Sequence, residues 1–225
     1  MLFYNHPGFN ATFTSLGNSG KEGPGSHGKP YTGQDQDDQV TLSSGIQQWT
    51  VPYTGQYRIE AVGAAGGHDE NENSAQYRAR GARMVGTFNL SQGEMIQILV
   101  GQEGEIRNNN NHRSSGGGGG SFVVRGNDTP LIVAGGGGGV RAVKIRHEGC
   151  DANTSTSGNP GYKAWSGGNN GHGGMTGGHD HSGESSENNY FDFVKVSCCR
   201  KLLISDLLYD LFFHLNPNIF TVRLA

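Results

Sequence analysis

Few residues in this chain have the type and spacing that chemistry needs. Gly23-Pro24-Gly25-Ser26-His27-Gly28-Lys29 matches the first seven positions of a phosphate-binding loop. The eighth should be Ser or Thr to hold magnesium, but Pro30 stands there, and no apolar strand precedes the motif. Gly135-x-Gly137-Gly138 follows a strand-like run, yet no acidic residue lies at the distance a dinucleotide site requires. His172, His179 and His181 with Asp180 bring nitrogen and oxygen ligands close together in GHGGMTGGHDHSG, a tract that collects zinc or copper adventitiously rather than in a built site. No Ser-His-Asp set, Cys-His pair or spaced carboxylate pair can be nominated. The expectation is therefore no catalytic residue, no cofactor and no metal. The acidic loop His68-Asp69-Glu70-Asn71-Glu72-Asn73, followed by Arg78, Arg80 and Arg83, reads as solvated charge and counter-charge.

Composition sets the frame for these motifs. The 225 residues include 39 glycines and carry a formal charge of −3, with 33% apolar and 16% charged residues. Glycine is far above its usual share of about 7%. The near-neutral balance excludes the basic face of a nucleic-acid binder, and the low charge excludes electrostatic disorder. The glycines come in blocks without a three-residue repeat and with seven prolines, which excludes collagen. No uncharged apolar stretch reaches the roughly 18 residues of a membrane span, and MLFYNHPGFNATF lacks the pattern of a signal peptide.

The elements that would position any site are short β-like runs. Residues 1–45 are polar, broken by Gly and Pro, and read as irregular, with Phe9, Phe13 and Leu16 as anchors. Residues 46–145 read as the sandwich core. In 46–53, Trp49, Val51 and Tyr53 share a face, and Pro52 marks a strand end. In 57–62, Tyr57, Ile59 and Ala61 alternate with Arg58, Glu60 and Val62. Thr54-Gly55-Gln56 reads as a hairpin turn between these two runs, and Ser91-Gln92-Gly93 as one between 82–90 and 94–101. Further runs span 121–125 and 130–134. The pattern predicts an all-β antiparallel sandwich or jelly roll.

Glycine blocks at 63–67, 116–120 and 135–139 abut strand-like runs, and a diluted glycine-rich segment occupies 146–189. Flexible linker is one reading of them. The other is a bundle of extended glycine helices with three residues per turn, whose cross-segment hydrogen bonds offset glycine's large ordering entropy. Sequons at Asn10, Asn89, Asn127 and Asn153 are candidate N-glycosylation sites of an exported surface. Cys150, Cys198 and Cys199 do not make a disulfide framework, and their pairing stays open.

In order, Trp49 to Ile59, Gly63-Ala64-Ala65-Gly66-Gly67, Gly86-Thr87-Phe88-Asn89-Leu90, Ile98 to Gly104, 116–120 and Pro130 to Gly139 resemble the glycine-rich extracellular domain of the anaplastic lymphoma kinase and leukocyte tyrosine kinase receptors. The resemblance runs from about Phe13 to Gly183. It implies a tumour-necrosis-factor-like sandwich interwoven with poly-glycine helices. It also implies a small secreted cytokine-like protein as partner, a receptor homodimer formed on ligand binding, and residence on the outer side of the cell membrane. Membrane attachment and kinase belong to sequence outside this chain, which has no VAIK-like, HRD or DFG segment. No ligand-contacting residue is carried over. A secreted glycine-rich matrix or adhesive protein using the same module is the alternative.

From Tyr190 the composition changes, and 190–225 reads as a tail outside the family that leaves the domain short of its closing strand. Leu203, Leu207, Leu208 and Leu211 have the spacing of a short amphipathic helix. Lys195-Val196-Ser197 is also what an exon end running into an intron would encode. The tail is thus either a docked helix or a gene-model artefact.

Overall fold

A computed structural model describes residues 8–20, 22–25, 31–68, 74–104, 116–139, 148–155 and the backbone of 220–224. The strands are β1 (Asn10–Phe13), β2 (Val40–Ser43), β3 (Ile46–Thr50), β4 (Gly55–Val62), β5 (Arg83–Leu90), β6 (Met95–Leu99), β7 (Ser121–Arg125), β8 (Pro130–Ala134) and β9 (Phe220–Leu224). One helical turn, α1 (Ser74–Tyr77), and a 3-10 turn at Glu148–Cys150 complete the described elements. The strands form two antiparallel sheets, ordered β1-β9-β4-β5 and β2-β3-β6-β7-β8. The fold is all-β, as the alternating runs predict.

Alternation decides which side of each strand meets the core. In β4, Tyr57, Ile59 and Ala61 are fully buried while Arg58 is exposed. Ile96 and Ile98 of β6, Trp49 of β3 and Val123 of β7 face them from the other sheet and join one hydrophobic cluster. Trp49 lies at its centre, with its ring 5.7 Å from Tyr57, 5.8 Å from Phe13 and 5.5 Å from Phe9. Aromatic edges and faces at these spacings add to the burial itself. Phe9 and Phe13 do anchor the N-terminal stretch, at 5% and 0% exposure, and Leu16 packs against the same cluster.

Both expected hairpins are wrong. β3 pairs with β2 and β6, whereas β4 pairs with β5 and β9. The segment between β3 and β4 therefore crosses from one sheet to the other. Pro52 has no N–H to continue a ladder, while the Val51 amide donates to Glu94 O at 2.9 Å and holds β3 beside β6. The β5-to-β6 connection crosses in the same way through a tight turn, with Glu94 N on Ser91 O at 3.0 Å and Gly93 at φ 79°. The true hairpins are β2–β3, through Ser44 and Gly45 at φ 49° and 80°, and β7–β8, with Asp128 at φ 62°. Two consecutive left-handed residues give a turn whose twist matches paired strands.

Two further departures concern the ends of the chain. Residues 1–45, read as irregular, contain β1 and β2. Residues 220–224, within the stretch read as outside the family, supply a strand between β1 and β4, with Val222 registered against Ala11 and Ile59. The alternating β-branched pattern Phe-Thr-Val-Arg-Leu suits that position. The expected helix over 203–211 lies outside the described residues.

Candidate functional site

Beside the sandwich, the glycine blocks form a second kind of structure. Gly63 N and Gly66 N donate to Ala82 O and Ala79 O, while Ala64 N and Gly67 N donate to Gly119 O and Gly116 O, all at 2.9 Å. Donors three residues apart thus aim at the same neighbour, and the acceptors at 116 and 119 repeat the spacing. A strand, with its period of two, cannot do this; a three-residue helix can. Gly118 N on Gly137 O, Gly137 N on Ala64 O and Gly104 N on Ala65 O tie in the remaining segments. For the blocks at 63–67, 116–120 and 135–139 the helical-bundle reading holds and the linker reading does not, whereas most of the glycine-rich segment 146–189, from 156 onward, lies outside the described residues.

The bundle requires glycine because its backbones touch. A Cβ on Gly81 would lie 1.9 Å from Gly63 O, one on Gly63 2.0 Å from Gly135 O, and one on Gly136 2.0 Å from Gly118 O. Ser121, 1% exposed, joins bundle to sandwich: its hydroxyl donates to Val62 O at 2.7 Å and accepts from Gly101 N at 3.0 Å.

These bonds also account for the motifs that resemble cofactor loops. The amides of Gly137 and Gly138 donate to Ala64 O and Cys150 O, so they are already engaged within the bundle. Gly23 packs against Gly45, to whose carbonyl oxygen a Cβ would come within 2.4 Å; Ser26 to Pro30 lie outside the described residues. The His172, His179, His181 and Asp180 tract lies outside them too. Among the described residues no three His, Cys, Asp or Glu side chains gather where a metal ion could sit. Nor is any described helix long and apolar enough to cross a membrane.

Residues 69–73 of the acidic loop lie outside the described residues, but two of the arginines that follow it form described ion pairs. Arg78 pairs with Glu103 at 3.0 Å and Arg83 with Glu60 at 2.6 Å; the Arg80 amide donates to Asp151 Oδ1 at 2.8 Å. Glu60 also lies 3.6 Å from Arg58. The outward face of the four-stranded sheet is therefore charged.

The outward face of the five-stranded sheet is the opposite. Across it the register aligns Ile46 and Gln48 of β3, Gln97 and Leu99 of β6, Phe122 and Val124 of β7, and Val133 of β8. Thr41, Ser43, Thr50 and Met95 extend it, and none of these positions is ionisable. Ile46, Gln97, Leu99, Phe122 and Val124 line a shallow depression at its centre. Met95 is the one large apolar side chain among the described residues that is well exposed, at 45%. Depletion of charge around an apolar centre distinguishes the core of a protein interface from ordinary surface. Counting outward positions of 94–101 and 121–125 could have found this face, but only once both strands were assigned to one sheet.

Sequence reasoning missed a buried polar network. Tyr31 OH donates to Gln47 Oε1 at 2.6 Å and accepts from the Thr14 amide at 3.1 Å, while Gln47 Nε2 donates to Thr14 O at 2.7 Å. Burial raises the Tyr31 pKa above its ordinary value, against the lowering effect of its hydrogen bonds. The network pins the N-terminal stretch to β3. Of the sequons, Asn10, Asn89 and Asn127 are exposed; Asn153 is half-buried, its Oδ1 accepting from the Ser155 amide and hydroxyl at 2.9 and 2.7 Å. Cys150 is buried near Ala79 and Tyr77; Cys198 and Cys199 lie outside the described residues.

Together, the described residues form a two-sheet sandwich braced by a glycine bundle and bearing one uncharged face. The family model for the glycine-rich domain of the anaplastic lymphoma kinase and leukocyte tyrosine kinase receptors matches residues 48–201. The chain belongs to that family, and the match reaches past Lys195. A relative, the leukocyte tyrosine kinase receptor of Mus musculus, is 40% identical over 100 residues, covering 41% of this chain and 11% of the receptor. The chain thus spans about a tenth of the length of that curated relative.

Proposed function

We propose that this chain is part of the extracellular ligand-binding region of a receptor tyrosine kinase. In this reading it captures a small secreted, cytokine-like protein, and ligand binding dimerises the full-length receptor through which it signals. In the same reading the sandwich is a tumour-necrosis-factor-like jelly roll, and the phosphoryl transfer belongs to a kinase domain elsewhere in the longer protein. The observation that carries the reading is the uncharged outward face of the five-stranded sheet, held rigid by the core on one side. A protein ligand with an apolar stripe fits a face of this kind, because its docking leaves no charge buried and unpaired.

The test is a biosensor titration of the purified chain with small secreted helical proteins of the same organism, repeated with Leu99→Arg and Phe122→Glu. Saturable one-to-one binding that each variant weakens at least tenfold, while circular dichroism is unchanged, is the expected result. Self-association of the chain with no saturable partner would instead favour a secreted matrix or adhesive protein. Long-read sequencing of the transcript checks the receptor assignment separately, since it must continue into a membrane span and kinase motifs.

A further inference from the structure

The two sheets turn different chemistry outward. On β1, Ala11 and Phe13 are buried at 1% and 0% exposure, so alternation puts Asn10 and Thr12 on the outward side, where Asn10 is exposed. The strand is fixed at that residue, because the Asn10 backbone amide donates to Asp35 Oδ2 at 2.7 Å. Ladder register carries the outward row across the four-stranded sheet, from Asn10 to Arg223 of β9 and from there to Arg58 of β4. Two strand spacings separate Asn10 from Arg58, about 10 Å. The Arg58 side chain is 44% exposed, and its neighbour Glu60 pairs with Arg83.

Asn10-Ala11-Thr12 is an N-glycosylation sequon. Asn153-Thr154-Ser155 is another, but its asparagine is half-buried and its Oδ1 already accepts from the Ser155 amide and hydroxyl, so a sugar there would compete with that turn. The five strands of the other sheet contain no asparagine at all. The acceptor on β1 and the uncharged face therefore lie on opposite sides of the sandwich.

We propose that Asn10 carries an N-linked oligosaccharide that overhangs the charged outward face of the four-stranded sheet and leaves protein partners the uncharged face; this rests on the extracellular reading above. In the transfer, the Asn10 side-chain amide nitrogen bonds to the anomeric carbon of an oligosaccharide carried on a lipid pyrophosphate. The bond from that carbon to the pyrophosphate oxygen breaks, the lipid pyrophosphate leaves with the electron pair, and the transferase takes the amide proton. The sugar is bulky and hydrated, and Arg58 lies within its reach, so a flat protein surface cannot settle on that side. The sandwich thus has one face for solvent and one for recognition.

To test this, the full chain is secreted from mammalian cells behind a cleavable leader, and occupancy of each sequon is read by peptide mass spectrometry after glycosidase release in heavy-oxygen water. Asn10 is expected to be occupied in most secreted molecules. Labelling with phenylglyoxal, which modifies accessible arginines, then reads how the face is covered. Arg58 is expected to react several-fold faster in Asn10→Gln, in Thr12→Ala and after enzymatic trimming of the sugar on the folded protein, with Arg125 of the other sheet unchanged. Secreted protein whose Asn10 is unmodified overturns the proposal. An occupied Asn10 whose loss leaves Arg58 labelling unchanged overturns the covering role. Neither result touches the receptor reading, which fails only if the native transcript encodes no leader, membrane span or kinase.

Discussion

Gly93 and Gly81 both favour glycine, for opposite reasons and to different degrees. Gly93 turns the chain from one sheet to the other at φ 79° with nothing within 4 Å of where a Cβ would stand. Gly81 has an ordinary backbone conformation, but a Cβ there would sit 1.9 Å from Gly63 O and 2.2 Å from its carbonyl carbon. The first is needed for conformational freedom and the second for the absence of atoms. The same division separates the two halves of the molecule. The sandwich is held by side chains such as Trp49 and Tyr57, whereas the bundle is held by amides and carbonyls at 2.8–3.0 Å with almost no side chain present.

That contrast can be broken at its strongest point first. Gly81→Ala or Gly136→Ala forces backbones apart and removes several cross-segment bonds at once, so each should cost about 4 kcal/mol or more and abolish secretion of folded protein. A melting transition within a few degrees of wild type would refute the contact argument. Trp49→Ala attacks the sandwich instead and should cost about 3–5 kcal/mol, read by denaturant midpoint at constant slope. Ser121→Ala strikes the junction. It leaves the Val62 carbonyl and the Gly101 amide without their buried partner, so about 1–3 kcal/mol should be lost. Native-state hydrogen exchange should then show the loss concentrated at residues 101–104 and 62–66, and uniform acceleration across β6 would count against a junction role. Gly93→Ala is the mildest, about 1–2 kcal/mol from the left-handed backbone alone.

How much of this was legible depends on the range of the information. Strands 57–62, 82–90, 94–101, 121–125 and 130–134 could be read because alternation is local and each buries one face. The hairpins misread at Thr54-Gly55-Gln56 and Ser91-Gln92-Gly93 show the limit. A turn signal fixes a change of direction but not whether the next strand stays in the same sheet. β1 and β2, four residues each, carry too little pattern to be distinguished from polar loop, and the Tyr31–Gln47 network that secures them is polar in composition. β9 was obscured by the abrupt loss of glycine around Tyr190, which reads as the end of a domain although Val222 registers with Ile59. The glycine blocks announced themselves, but their function depends on which segments face each other, and that is set by long-range contact. The uncharged face was hidden for the same reason: its residues alternate correctly in each strand, and only the sheet order β2-β3-β6-β7-β8 brings them together.

The period of three in the bundle has a consequence for how this domain tolerates length changes. In a strand, inserting one residue swaps inside for outside, and a second insertion restores the pattern. In the glycine segments, one added residue swings every later amide a third of a turn, aiming it at the wrong neighbour. Three added residues restore the aim and lengthen the helix by about 9 Å. Insertions and deletions within 63–67, 116–119 or 135–138 should therefore survive only in triplets matched on the adjoining segments. Single-residue changes belong in the connections between them, so the bundle keeps a phase of its own, distinct from that of the sheets it braces.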